Sequence, residues 1–186
     1  MTPKTPFLLF LVVCCFTAQF TSGQPAKTKA KATKSTATVS PAIQAAAHAA
    51  VATGCDASLW QHVYHPARLQ VVEKCIEVTG TIHHIKGEAD GDDHIQVKVD
   101  PPFDKLLNDR NLSIQAGCLV VEPICERAVT QTDAIAACKD FHSPVRLPQP
   151  QPVGMHVKIL GSFILDTEAN HGWTEIHPVT SITKIP

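Results

Sequence analysis

The chain has 186 residues, with 16 Lys plus Arg against 17 Asp plus Glu, a formal charge of −1, 44% hydrophobic residues and seven cysteines. That balance excludes a strongly basic nucleic-acid binder and a highly charged disordered chain, and the length suits one domain with a sizeable core. The total hides an asymmetry: residues 1–54 hold five lysines and no acid, which leaves eleven bases and seventeen acids, a formal −6, for residues 55–186.

The N-terminus has one early base, Lys4, an unbroken apolar run over residues 7–16, and the small residues Thr21, Ser22 and Gly23. This pattern predicts a signal peptide over 1–23, because a run this short does not span the ~30 Å hydrocarbon layer as a permanent helix. Cys14 and Cys15 lie inside the apolar run and do not follow a small residue, which argues against lipid anchoring. The expectation is an exported protein, periplasmic or extracellular, with no integral membrane segment after cleavage. Residues 24–54 read as a disordered Ala/Lys/Thr-rich linker, too poor in apolar surface to offset the entropy of ordering. Within it, residues 41–53 are Ala-rich enough for a short helix but contain nothing large enough to anchor one.

Residues 55–186 form the expected folded domain. Export implies an oxidising compartment, and the five remaining cysteines predict two bridges and one thiol. Several pairings are open; Cys55 with Cys75 and Cys125 with Cys138 is the expected one, since each closes a short loop from a strand end, leaving Cys118 as a buried apolar filler. No pair has the spacing of a zinc knuckle.

In chain order, residues 57–68 with Trp60 and Tyr64 read as a helical or irregular cover. Residues 75–85 alternate, with Ile76, Val78, Gly80 and Ile82 on one face, which predicts a half-buried strand, and the glycine suggests a bulge or bend in its middle. Asp90-Gly91 supplies a turn, and residues 94–100 return with Ile95, Val97 and Val99 inward and His94, Gln96 and Lys98 outward. Residues 103–107 suit one helical turn, 119–124 a third strand, and 133–140 a short helix capped by Thr130 or Thr132. A Pro-rich connector over 144–152 leads to two last strands, near 157–165 and 172–182.

Three strands, a short helix and two more strands, with a glycine mid-way along the first, resemble the OB fold over residues 75–183. The predicted fold is therefore mainly β, a five-stranded OB-like barrel with one short helix between strands 3 and 4. The runs C-D-A-S-L-W-Q-H-V-Y-H-P-A-R-L and H-G-W-T-E-I-H-P-V are similar to those of a group of small exported bacterial OB-like proteins. The resemblance implies fold and export and no activity, and Cys118 stands where that group does not lead one to expect a cysteine.

OB folds usually bind through the outer face of strands 2 and 3 and the loops between strands 1 and 2 and strands 4 and 5. Those loops hold Glu88, Asp90, Asp92, Asp93, Asp166 and Glu168, which argues against a phosphate-tracking nucleic-acid site. The leading reading is a non-catalytic binding or interaction module for a protein or envelope component, with His94, Gln96, Lys98, Trp173 and Glu175 as ligand-binding candidates. The first alternative is zinc or copper binding through His171, Glu175 and His177, which alternation places on one face with Trp173, joined by His83 or His94. A secreted hydrolase or nuclease is the second alternative, although G-x-S-x-G, H-E-x-x-H, P-loop and dinucleotide-turn motifs are absent from the sequence. The run Asp90-Gly91-Asp92-Asp93 lacks EF-hand spacing and reads as a solvated turn.

Overall fold

The computed structural model describes residues 38–186; the expected leader and residues 24–37 of the expected linker lie outside them. Five strands, β1 (Leu69–Gly87), β2 (Asp93–Val99), β3 (Leu119–Val121), β4 (His156–Asp166) and β5 (Thr174–Lys184), make one mixed sheet that closes in a ring in the order β1-β2-β3-β5-β4. All neighbours are antiparallel except β3 and β5, which run parallel. Closure relies on the length of β1, whose residues 80–87 pair with β2 while residues 69–81 pair with β4.

The alternation read from the sequence in β1 and β2 continues around the ring. Ile76, Val78 and Ile82, Ile95 and Val97, Leu119 and Val121, Val157, Ile159, Phe163 and Leu165, and Ile176 and Ile182 share one buried cluster. Gly80 carries no bulge: the register runs through it to Val99 on one side and Val157 on the other, and the shifts fall elsewhere, between Ile82 and His84 and between Val71 and Ile76. Its role is close approach, since a Cβ there would stand 2.5 Å from the Lys98 carbonyl oxygen and 2.8 Å from Val99 Cα.

Three helices flank the sheet. α1 (Pro41–Ala49) starts with Ser40 Oγ accepting from Ile43 N at 3.3 Å and Pro41 in the first turn, an ordinary N-terminal signature. It corrects the expected linker boundary at residue 54, because Ile43 and Ala47 are buried in the ring's own cluster. The anchor comes from small side chains that let the helix approach, and from Ala50 and Ala52, which exchange backbone hydrogen bonds with Glu77 and Cys75 at 3.0 Å. A 3-10 turn (Phe103–Leu106) is followed by α2 (Asp109–Ile114), which was not expected; Asn108 and Asn111 form a capping box at its start. The third helix, α3 (Ile135–Cys138), lies in the passage between β3 and β4.

The cover expected over 57–68 consists of two 3-10 turns, Ala57–His62 and Pro66–Arg68. It builds a second buried cluster from Leu59, Val63, Leu69, Ile124, Cys125 and Ile164. Ile164 points out of the ring between two inward neighbours, Phe163 and Leu165, so β4 serves a core on each face. Both expected disulfides are present: Cys55–Cys75 ties the cover to β1, and Cys125–Cys138 ties the segment after β3 to α3. Cys118 is free and buried. Among the described residues no helix is long and apolar enough to cross a membrane.

Two outcomes check this architecture. Gly80→Ala should lower unfolding stability by about 1–3 kcal/mol in a urea titration, because the β2 backbone has to move to admit the methyl. Peptide mapping without reduction should return Cys55 with Cys75 and Cys125 with Cys138; any linkage through Cys118 contradicts the pairing.

Candidate functional site

The outward face of β2, β3 and β5 does not meet solvent as an ordinary half-exposed surface. Register places Ile95 beside Val121 and Val121 beside Ile176, all inward. One residue along each strand, His94, Glu122 and His177 therefore form an outward row that crosses the seam of the ring. His94 Nδ1 lies 2.8 Å from Glu122 Oε1, and His177 Nδ1 lies 2.9 Å from Glu122 Oε2. All three are buried, His177 completely.

Charge, not packing alone, holds this row. Burial opposes ionisation of His94, yet the hydrogen bond and charge of Glu122 outweigh it and raise the imidazole to about 9. Burial likewise opposes the charged form of His177, and Glu122 and Glu175 raise it well above its ordinary value. Glu122 is drawn the other way: burial favours its neutral form, but two imidazoles hold the carboxyl far below the usual range. Burial first, then repulsion from Glu122, raises Glu175. Asp92 is pushed up to about 7, chiefly by burial.

A second layer orients these groups. Trp173 Nε1 donates to Glu175 Oε2 at 2.7 Å, and the Trp173 ring stacks on His171 with centroids 4.2 Å apart. His171 Nδ1 lies 2.6 Å from Asp166 Oδ2, and Asp166 also pairs with Arg68 of the cover. From α2, Arg110 Nε donates to the His171 carbonyl at 2.6 Å and Asn108 Nδ2 to the Gly172 carbonyl at 2.9 Å. Asn111 Nδ2 bridges the Cys118 and Thr174 carbonyls at 3.0 and 2.9 Å. The unexpected helix thus fixes the loop between β4 and β5.

Above this framework lies a groove of about 410 Å³, walled by His94, Gln96, Gln115, His171 and Trp173, with His84, Lys86 and Glu88 at its rim. Of the ligand-binding candidates, His94, Gln96 and Trp173 line it. Glu175 lies behind Trp173 with 0% exposure, and Lys98 points away, donating to the Ala116 carbonyl. The metal set expected from alternation does not assemble: His171 is engaged by Asp166, His83 is exposed on β1, and His94 and His177 are separated by Glu122. Only Glu175 and His177 stay adjacent, at 3.3 Å.

Sequence reading missed Glu122, Gln115, Arg68 and α2. Glu122 had a signal, since it continues the outward alternation of Val120 at the end of an apolar strand; the other three become visible only through tertiary contacts. The acidic mouth also differs from expectation. Asp92, Asp93 and Asp166 are buried, Asp93 paired with Arg127 and Asp166 with Arg68, so three of its six carboxylates do not face solvent. Comparison with family models, curated proteins and solved structures finds no match to the chain.

Replacing Glu122 by Gln leaves two buried imidazoles without their shared counter-charge. Equilibrium unfolding should show a loss of about 3–5 kcal/mol, whereas Glu88→Gln at the rim should cost less than about 0.5 kcal/mol.

Proposed function

We propose that this chain is an exported, non-catalytic binding module of OB-like architecture, whose outer-face groove takes a polar ligand such as a peptide segment or an envelope glycan. The OB-like assignment is supported by the strand order, by the parallel β3–β5 pair and by a first strand that pairs on both sides. The leader pattern and the two disulfides support export.

The observation that carries the binding reading is the wall of the groove. It lies on β2 and between the β1–β2 and β4–β5 loops, where this architecture usually binds. Its floor is already bonded: Gln115 Oε1 accepts from His94 Nε2 at 3.0 Å and from Gln96 Nε2 at 2.8 Å. That leaves the Gln96 carbonyl oxygen, the Gln115 amide hydrogens and His171 Nε2 to meet a ligand. Amide donors and acceptors beside two imidazoles suit peptide amides or sugar hydroxyls, and the imidazole stacked on Trp173 gives an apolar edge. The binding reading is favoured over the hydrolase alternative by the burial of Glu175 behind the Trp173 indole.

The test is a titration of the exported protein with muropeptides and with a library of short neutral peptides, read by backbone amide shifts. Binding should perturb residues 84–96, 115 and 171–173 together, and Gln96→Ala should weaken it at least tenfold while the melting temperature moves little. Saturable shifts confined to another face, or no binding from either panel, would sink the reading.

A further inference from the structure

The buried row leaves one nitrogen without a partner. His177 is fully buried, and its Nδ1 faces Glu122 and Glu175; its Nε2 has no hydrogen-bond partner. On that side stands Asp92 Oδ2, 3.8 Å away, too far to accept a hydrogen bond. Asp92 is held there by its other oxygen, which accepts from Cys125 N at 2.8 Å. Asp92, Glu122 and His177 each place one donor atom within 4.8 Å of the others. We propose that these three side chains form a buried site for one divalent transition-metal ion, with zinc as its reference occupant.

The spacing fits an ion. Zn–N of about 2.0–2.1 Å and Zn–O of about 2.0–2.2 Å set two donors roughly 3.4 Å apart at the tetrahedral angle and roughly 4.2 Å apart when opposed, and the observed gap lies between. Glu122 Oε2 now accepts from His177 Nδ1, but Glu175 Oε1 lies 3.3 Å from the same nitrogen, buried and without a hydrogen bond of its own. When Glu122 Oε2 turns to the ion, Oε1 keeps His94 and Glu175 takes the Nδ1 hydrogen of His177. A ligating imidazole backed by a carboxylate is the usual arrangement at metal-binding histidines. Charge does not oppose an ion there, since Asp92, Glu122 and Glu175 set three buried carboxyl groups against the two imidazoles of His94 and His177. The imidazole selects a transition metal over calcium or magnesium. Two other donor groups carry less: one contains both sulfurs of the Cys125–Cys138 bridge, and the other contains His94, whose nitrogens both have partners.

The site stands apart from the groove and from the proposal built on it. The test uses the full chain, expressed with export and without an affinity histidine tag, refolded with Zn²⁺ and dialysed. One equivalent of zinc should stay bound, Asp92→Asn and His177→Gln should each weaken retention about 100-fold or more, and a His83→Ala, His84→Ala double variant should retain it. Since His177→Gln removes a buried partner and is liable to unfold, X-ray absorption on the wild-type zinc protein gives an independent reading. One imidazole and two or more carboxylate oxygens around zinc support the site. No retained zinc, a shell of several imidazoles, or full retention in folded Asp92→Asn overturns it. Gln96→Ala, which tests the groove, should leave zinc retention unchanged.

Discussion

One carboxylate shared between two imidazoles holds the ring at its narrowest seam. β3 has three residues, and its parallel partnership with β5 rests on two residue pairs, Val120 with Glu175 and Val121 with Ile176. Few ladder hydrogen bonds close the sheet there. Glu122 supplies what the ladder lacks: its backbone N–H donates to the Ile176 carbonyl at 3.0 Å, and its side chain accepts from β2 on one side and β5 on the other. A buried charge set of this kind adds little net stability over an apolar one of equal volume, but it penalises any register in which a member loses its partner. Its effect is to specify which residues meet across the seam.

The remainder of the outer face follows from burying that charge. The charged row is flanked by Trp173, which α2 helps to place through the loop between β4 and β5, and by the Cys125–Cys138 segment, whose Cys125 N–H holds Asp92. The Cys55–Cys75 bridge and the Arg68–Asp166 pair fasten the two ends of the 57–68 segment. Asp166 then carries two partners, Arg68 and His171, and through His171 it sets the plane of Trp173. The indole in turn seals Glu175. Packing on the outside of β4 and β5 and electrostatics on the outside of β2 and β3 are therefore one layer, continuous through Asp166.

What was legible in the sequence was whatever depends on local period. The inward residues of β1 and β2 were read correctly because a side chain on a strand has two choices of face and the apolar ones choose alike. The outward residues were harder for the same reason: alternation put His171, Trp173, Glu175 and His177 together, but said nothing of the strand beside them. The neighbour of His177 turned out to be Glu122, brought there by a crossover of more than fifty residues. Gly80 shows a similar limit, since a glycine in mid-strand announces a constraint without saying whether it is a bulge or a neighbour's backbone. In α1 the error was one of scale: a single isoleucine and a row of alanines look too weak to anchor a helix alone, yet they suffice where 50–52 already pair with β1.

Formal charge was the least faithful guide to the surface. Residues 55–186 sum to −6, and the expected binding mouth holds six carboxylates. Half of those carboxylates turn inward, where they hold bases and imidazoles rather than present a field to solvent. Carboxylates spent in this way do not repel a ligand; they fix the side chains that touch it. The groove is consequently built of amides and imidazoles whose positions are set one layer below, so that each donor would lose little freedom if a ligand accepted from it. The same economy explains why His177, deepest in the layer, retains an unpaired nitrogen. With Glu122 bonded to two imidazoles and Asp92 fixed by Cys125 N, no protein group among the described residues makes a hydrogen bond to it.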